Sequence, residues 1–131
     1  MAEKLKMSAK FAVEPKAVYA AWLSSKGHAE MTGSPAKANA KKGGKFTAWD
    51  GYISGKNLEL KPGKLIVQAW RTTEFPDGAP DSKLEIRLAK EGQGTKLTLM
   101  QTDIPPGQAG EYRQGWLDFY FKPMKKYFVK S

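Results

Sequence analysis

The chain has 131 residues, 40% of them hydrophobic, and a formal net charge of +9 at pH 7. That length predicts one domain, residues 1–131, with enough chain to bury a core. There is no cysteine, which excludes a disulfide framework, a thiolate metal site and a cysteine nucleophile. The N-terminal segment has no apolar run long enough for a signal peptide or a membrane span, so we expect a cytoplasmic protein.

The positive charge has two interpretations. It attracts nucleic acid, anionic lipid or an acidic protein, or it keeps a small domain soluble. The lysines are dispersed and no arginine-rich run occurs, which favours a solvated surface. A nucleic-acid site would need basic residues interleaved with exposed aromatic ones. The nearest match, which we expect to cover the solvent face of a helix, is Lys122, Lys125, Lys126 and Lys130.

The N-terminal third predicts one strand and a short helix. Residues 5–11 alternate apolar and polar side chains, which indicates a strand with one buried face. Pro15 suits the first turn of a helix that runs through Leu23. Residues 28–31 are predicted as one further turn and residues 32–44 as a loop. The buried stripe of the helix is predicted to be Val18, Ala21 and Trp22.

Five more strands are predicted before the C-terminal segment. Asp50-Gly51 is a hairpin signal, and Gly55 stands where a bulge would bend a strand. Ile104-Pro105-Pro106-Gly107 ends the sheet. Strands followed by a terminal helix describe an α+β domain. The predicted strands cover residues 45–49, 52–60, 65–73, 83–88 and 96–101.

Residues 109–128 predict one long helix with aromatic side chains at helical spacing. Such a stripe needs a concave partner, because the rings would bury most of their surface. We therefore expect a curved antiparallel sheet wrapped around the C-terminal helix, with a gap between them. Pro123 inside the helix predicts a kink. The stripe consists of Tyr112, Trp116, Phe119, Tyr120, Met124, Tyr127 and Phe128.

Three segments carry a family resemblance: FAVEPKAVYAAWLSS (11–25), GGKFTAWDGYISGKNLELKPGKLIVQAWR (43–71) and GWLDFYFKPMKKYF (115–128). The chain resembles the SRPBCC (START-like, helix-grip) superfamily, and within it the domain shared with the activator of the ninety-kilodalton heat-shock chaperone's ATPase. The resemblance implies the helix-grip fold. It is to the second domain of the eukaryotic co-chaperone, and other members of the superfamily bind apolar ligands under the long helix.

Aromatic and amide side chains on the predicted strands and helix form a candidate cavity. Aromatic walls with a few polar groups suit a flat apolar ligand. Aromatic stripes also form plain core, each buried ring contributing about 2–3 kcal/mol by area. We expect Trp70, Trp116 and Tyr120 to form the centre of the lining. The candidate ligand-binding residues are Trp49, Tyr52, Gln68, Trp70, Gln101, Trp116, Phe119 and Tyr120.

The titratable residues provide no catalytic set. His28 is the only histidine, and we expect it to be exposed on a short helix rather than to act as a ligand or base. No cluster has metal-ligand spacing, so neither metal nor cofactor is predicted. Asp50 is expected to form a turn and Asp118 to face water. Glu111 and Asp103 lie near the predicted helix start, where the helix dipole favours negative charge.

Three functions follow from these patterns together with the family resemblance. The first is a non-catalytic binding module that holds a small apolar ligand between sheet and helix. The second, implied by the resemblance, is a co-chaperone-like protein that acts on the ATPase of the ninety-kilodalton heat-shock chaperone and docks this acidic partner on its basic surface. The third is a cavity-based enzyme of lyase or cyclase type, for which the sequence identifies no paired acid and base. Neither a nucleic-acid partner nor a membrane span is expected.

Overall fold

The structure, a computed structural model, describes residues 2–129. Six strands form one antiparallel sheet in the order β1-β6-β5-β4-β3-β2. The chain ends in a long helix that packs on the inner face of this curved sheet, so the predicted α+β helix-grip architecture is confirmed. The elements are β1 (Glu3–Phe11), α1 (Pro15–Trp22), α2 (Ser25–Thr32), β2 (Lys45–Ala48), β3 (Ile53–Lys61), β4 (Leu65–Thr72), β5 (Ser82–Glu91), β6 (Gly94–Ile104), α3 (Ala109–Gly115), a π-helical turn (Trp116–Phe121) and α4 (Lys122–Val129).

The hairpin of β5 and β6 shows how the alternating pattern sets the register. Ile86 faces Leu99 across the pair, and Leu88 faces Leu97. All four side chains are buried on the inner face, while the residues between them point to the outer face. A shift of the pairing register by one residue would expose all four side chains to water. The two strands are joined through Gly92, whose φ of 60° suits a tight turn.

The bulge predicted at Gly55 is in the wrong place. The irregular pairing of β3 with β4 lies between Asn57 and Glu59, so Leu58 is the extra residue. Gly55 instead provides space on the inner face, between Phe46 and Trp70 in the adjoining strands. A Cβ atom at Gly55 would lie 1.8 Å from the Ala69 carbonyl oxygen and 2.9 Å from Phe46. The glycine is therefore required by close packing, not by a bend in its own strand.

The second helix is longer than the single turn predicted for residues 28–31. Its N-cap is Ser24, whose hydroxyl accepts the Gly27 N–H at 3.1 Å. Gly27 lies inside this helix instead of breaking it. A Cβ atom there would meet the Ala21 Cα at 2.9 Å, so the glycine lets α1 and α2 pack closely. The helix ends at Gly33, which has a φ of 81°.

The C-terminal helix widens before Pro123 instead of running as a regular α-helix. Lys122 donates its N–H to Leu117 O, five residues earlier. In a regular α-helix, four residues rotate about 40° more than one full turn, so side chains spaced four apart move gradually away from one face. The wider turn reduces this rotation around the helix axis. Side chains spaced four residues apart therefore continue to face the sheet. The irregularity predicted at Pro123 is therefore a π-helical turn in the preceding residues. The buried stripe consists of Tyr112, Trp116, Tyr120, Phe121, Met124 and Phe128.

The start of the C-terminal helix is stabilised by a residue from the opposite end of the chain. Ala109 N–H donates to Glu3 Oε1 at 3.0 Å, and this bond lowers the pKa of Glu3. Glu111 lies in the first turn, as predicted. Asp103 lies in β6 with a φ of 62° and is not part of the helix. Within residues 2–129, no helix is both long and apolar enough to cross a membrane.

Candidate functional site

A cavity of about 410 Å³ lies between the inner face of the sheet and the C-terminal helix. Its walls come from the loop after β2, from β3 and β4, and from the helix. Six of the eight predicted ligand-binding residues line it. Four lining residues were not predicted as part of the site, namely Ile53, Glu111, Tyr112 and Gly115. The full lining is Trp49, Tyr52, Ile53, Trp70, Glu111, Tyr112, Gly115, Trp116, Phe119 and Tyr120.

Trp116 is the centre of the aromatic wall. Its ring centroid is 4.8 Å from that of Tyr120 and 5.4 Å from that of Trp70. These separations are typical of favourable aromatic pairs. Both Trp70 and Tyr120 are buried, so the three residues expected at the centre of the lining are together there. Phe119 differs from them: it is 56% exposed and packs 5.4 Å from Trp49 at the edge of the cavity.

The predicted amides Gln68 and Gln101 lie in the sheet beneath the rings and do not line the cavity. Gln101 Oε1 accepts the Trp116 indole N–H at 3.0 Å. Gln68 Oε1 accepts the Trp22 indole N–H at 3.4 Å. The remaining amide groups are also bonded, Gln101 to Ser82 and Gln68 to Asn57. These amides therefore satisfy buried indoles, which would otherwise lack a partner.

Trp49 reaches the cavity from a backbone that bulky residues rarely adopt. Its φ is 52°, and that of the following Asp50 is 57°. Such conformations cost on the order of 1–3 kcal/mol and cluster at functional sites. The Trp49 indole N–H is buried and is directed toward the Tyr120 hydroxyl, outside ideal hydrogen-bond geometry. Asp50 itself is exposed in the predicted turn between β2 and β3.

The polar groups of the cavity gather at one end, around the start of the C-terminal helix. The Tyr52 hydroxyl donates to Glu74, and the Tyr112 hydroxyl donates to Gln108 at 2.6 Å. Hydrogen bonding to Tyr52 and Glu111 lowers the pKa of Glu74. Hydrogen bonding to Glu74 raises the pKa of Glu111. The cavity is thus apolar along its length and acidic at this end.

The expectation that His28 is exposed was wrong. The side chain is only 5% exposed, because α2 packs against the C-terminal helix. Its Nδ1 lies 2.9 Å from Trp22 O, and its Nε2 lies 2.7 Å from the Tyr120 hydroxyl. A carbonyl only accepts, so Nδ1 carries the proton and Nε2 accepts from Tyr120. Burial lowers the pKa of His28 and raises that of Tyr120.

Acidification is expected to destabilise the protein through His28. The pKa of His28 is lower in the folded chain, so below about pH 6.5 the unfolded chain binds a proton that the folded chain does not. The free energy of unfolding should then fall by up to about 1.4 kcal/mol per pH unit until the folded pKa is reached. Urea unfolding of wild type and His28→Gln between about pH 7.5 and pH 5 tests this.

The His28→Gln comparison isolates the histidine. The raised pKa of Glu111 acts in the opposite direction, and that group is present in both proteins. We expect a shallower pH dependence of stability in His28→Gln. Equal slopes in the two proteins would show that His28 titrates alike in the folded and unfolded chains.

The outer face of the sheet carries an unpaired basic area, which we call the lysine patch. Lys45 faces Lys56 across β2 and β3. Lys56 is followed by Ala69 and then Lys83 in the same row of the sheet. Like charges placed directly opposite each other are destabilising. Among residues 2–129, no carboxylate lies within 4.0 Å of a patch lysine. The lysine patch comprises Lys45, Lys56 and Lys83, all of them exposed.

The lysines predicted to cover the last helix behave differently. Lys122 bonds to Asp118 at 3.1 Å on the solvent side of the helix, where Asp118 was expected. Lys125 and Lys126 are exposed, and Lys130 lies outside the described residues. Among residues 2–129, no group of three or more histidine or acidic side chains is arranged to hold a metal ion.

A six-stranded sheet that holds a long terminal helix above a cavity defines a helix-grip domain of the SRPBCC class. The sequence matches the family model described as Activator of Hsp90 ATPase homolog 1-like protein over residues 12–129. The chain belongs to this family, which confirms the resemblance carried by the three segments.

The relatives it matches are longer than this chain. The human protein "Activator of 90 kDa heat shock protein ATPase homolog 1" is 31% identical over 125 residues, which cover 95% of this chain and 37% of that protein. A Dictyostelium discoideum homologue is 30% identical over 113 residues, 86% of this chain and 29% of its own length. The crystal structure of an HSP90 activator from Plasmodium falciparum has a TM-score of 0.83 at 21% identity, over 97% of this chain and 96% of that one. That last similarity shows the fold alone.

Proposed function

We propose that the protein is a cytoplasmic, non-catalytic binding module in which residues 1–131 act as one domain. It holds a small apolar molecule between the sheet and the C-terminal helix. The observation that carries this proposal is the cavity of about 410 Å³ lined mainly by aromatic rings. Small-molecule sites typically have volumes of about 300–1,000 Å³, apolar walls and a few polar groups. The strained backbone at Trp49, which carries this ring to the edge of the cavity, supports the same conclusion.

Filling the cavity from within tests this proposal. Gly115 lines the cavity, and a Cβ atom there would have Phe119 as its nearest contact at 3.9 Å. A leucine at this position has room on the cavity side and favours the helix. Gly115→Leu is therefore expected to keep the fold and abolish binding of Nile red, a neutral flat dye that fluoresces in apolar surroundings.

Gly110→Leu is the matched control. It lies in the same helix, does not line the cavity, and a Cβ atom there meets nothing within 4 Å. Wild type and Gly110→Leu should bind the dye equally and should melt at a higher temperature with it. At a hundred times the dissociation constant the gain is about 2.7 kcal/mol. Equal binding by Gly115→Leu, or no binding by wild type, would refute the cavity as a ligand site.

A second function, docking on the ninety-kilodalton heat-shock chaperone as a co-chaperone, is favoured by a separate observation. The family relatives are named as activators of that chaperone's ATPase, and this chain has a lysine patch without acidic partners. Lysines in a row on an exposed face suit an acidic protein surface and accelerate association. We propose that the patch is the contact surface and that docking changes the chaperone's ATPase rate.

Two charge-matched triple variants test the docking proposal. Lys45, Lys56 and Lys83 are changed to glutamine in one, and Lys122, Lys125 and Lys126 in the other. Both lose three positive charges, but only the first set lies in the patch. Wild type and the helix variant should change chaperone turnover at low ionic strength, and the patch variant should not. Turnover that wild type leaves unaltered would refute this function and leave the cavity proposal standing.

A further inference from the structure

The charge of the cavity lining differs in sign from the charge of the whole chain. The chain carries 22 lysines and arginines against 13 acidic residues. Yet none of the residues that line the cavity is basic, and its one charged lining residue is Glu111. Glu74 lies beside it, hydrogen-bonded to the Tyr52 hydroxyl. A strongly basic protein thus surrounds an acidic apolar cavity.

We propose that the cavity selects a flat aromatic molecule bearing a protonated amine, with the amine directed to Glu111. This inference rests on the proposed ligand-binding function and names the class of ligand. The aromatic part would lie against Trp70 and Trp116, whose rings are 5.4 Å apart. The amine would lie at the end formed by the start of the C-terminal helix.

Two interactions favour a cation at this end. The first is the charge of Glu111 and Glu74, which lie together at the mouth of the cavity: their hydrogen bond raises the pKa of Glu111 and lowers that of Glu74, and the lowered pKa of Glu74 keeps negative charge on the pair at neutral pH. The second is the electron-rich faces of the neighbouring rings, which attract ammonium groups. Tyr112 lines the same end, with its hydroxyl bonded to Thr72 at 2.7 Å. Both carboxylates face water, so the attraction is modest and is weakened by salt.

The same arrangement disfavours anions. A carboxylate or phosphate ligand would place its charge against Glu111 and find no lysine or arginine in the lining. The Arg71 guanidinium, above the Phe75 ring, is bonded to Asp81 at 2.9 Å and does not line the cavity. Anionic lipids and fatty acids are therefore excluded from the preferred class.

Three probes with one ring system test the proposal by titration calorimetry. They are naphthylmethylamine, naphthylmethanol and naphthoate, which are cationic, neutral and anionic at neutral pH. Wild type should bind the amine on the order of tenfold more tightly than the alcohol, and the alcohol more tightly than the acid. The preference for the amine should shrink as salt is added.

Glu111→Gln and Asp118→Asn separate the cavity from the overall charge. Each removes one negative charge from the C-terminal helix, but Asp118 bonds to Lys122 at the surface and does not line the cavity. Glu111→Gln should bind the alcohol as wild type does and lose the preference for the amine. Asp118→Asn should keep it.

The outcomes are distinguishable. Binding of the alcohol without preference for the amine, or an unchanged preference in Glu111→Gln, overturns the inference and leaves the proposed function intact. Failure of all three probes to bind overturns the inference, and failure of wild type to bind Nile red as well overturns the proposed function.

Discussion

Replacing Trp116 with alanine is expected to lower the free energy of unfolding by about 4 kcal/mol. The ring is 2% exposed and contacts Trp70 and Tyr120, so its loss removes the centre of the aromatic wall. The truncation also leaves the buried Gln101 carbonyl without its donor, which costs about 1–3 kcal/mol in such settings. Small domains are stable by about 5–15 kcal/mol, so this single change brings the protein close to unfolding. Urea unfolding followed by circular dichroism measures the effect.

Two further variants divide this loss into its parts. Trp116→Phe keeps a six-membered ring in the wall but removes the indole N–H together with part of the ring system, so its cost should be smaller than that of Trp116→Ala and should include the hydrogen-bond portion. Phe119→Ala removes a ring from the same helix at a side chain that is 56% exposed, and should cost under about 1 kcal/mol. A Trp116→Ala protein as stable as wild type would mean that the wall does not support the fold.

Gly55→Ala is expected to be the most costly of the glycine-to-alanine changes, at roughly 3 kcal/mol. The added methyl group would stand 1.8 Å from the Ala69 carbonyl oxygen, which belongs to the backbone of β4 and cannot rotate away. Either β3 separates from β4 or the ladder between them shifts. Since both strands line the cavity, thermal melting should show the lost stability and Nile red fluorescence should show a weaker site.

Gly110→Ala is the control for this change. It lies near the start of the C-terminal helix, where a Cβ atom meets nothing within 4 Å. Alanine favours the helix by up to about 1 kcal/mol over glycine, so this variant should be as stable as wild type or more stable. If Gly55→Ala melted together with Gly110→Ala, the close approach of β3 to β4 would not be a constraint.

The fold could be predicted from the sequence because its strongest patterns are local. Alternation at Leu84, Ile86 and Leu88 indicates a strand with one buried face wherever its partner lies. The aromatic stripe of residues 109–128 likewise indicates a helix that needs a concave partner. The π-helical turn was not accessible, since it depends on how the stripe meets the sheet over several turns. The bulge at Leu58 also depends on pairing with β4.

The candidate site could be predicted from the sequence only in part. Periodicity placed Trp70, Trp116 and Tyr120 on the buried side, and the structure brings them together. It does not say what a buried polar group bonds to, so Gln68 and Gln101 were assigned to the cavity although they bond to indoles. His28 was misjudged for a similar reason: its partner Tyr120 is 92 positions away. A single histidine between Gly27 and Ala29 has no pattern that shows burial.

The lysine patch and Glu111 lie on opposite sides of one sheet, and this separation has a consequence. The sheet separates the lysine patch on its outer face from the acidic mouth of the cavity on the other side. A large anion drawn to the exterior does not occupy the space under the helix. A small cation in that space does not occupy the exterior. If both proposals hold, a cationic ligand and an acidic partner would bind at the same time, and any influence of one on the other would have to pass through the strands.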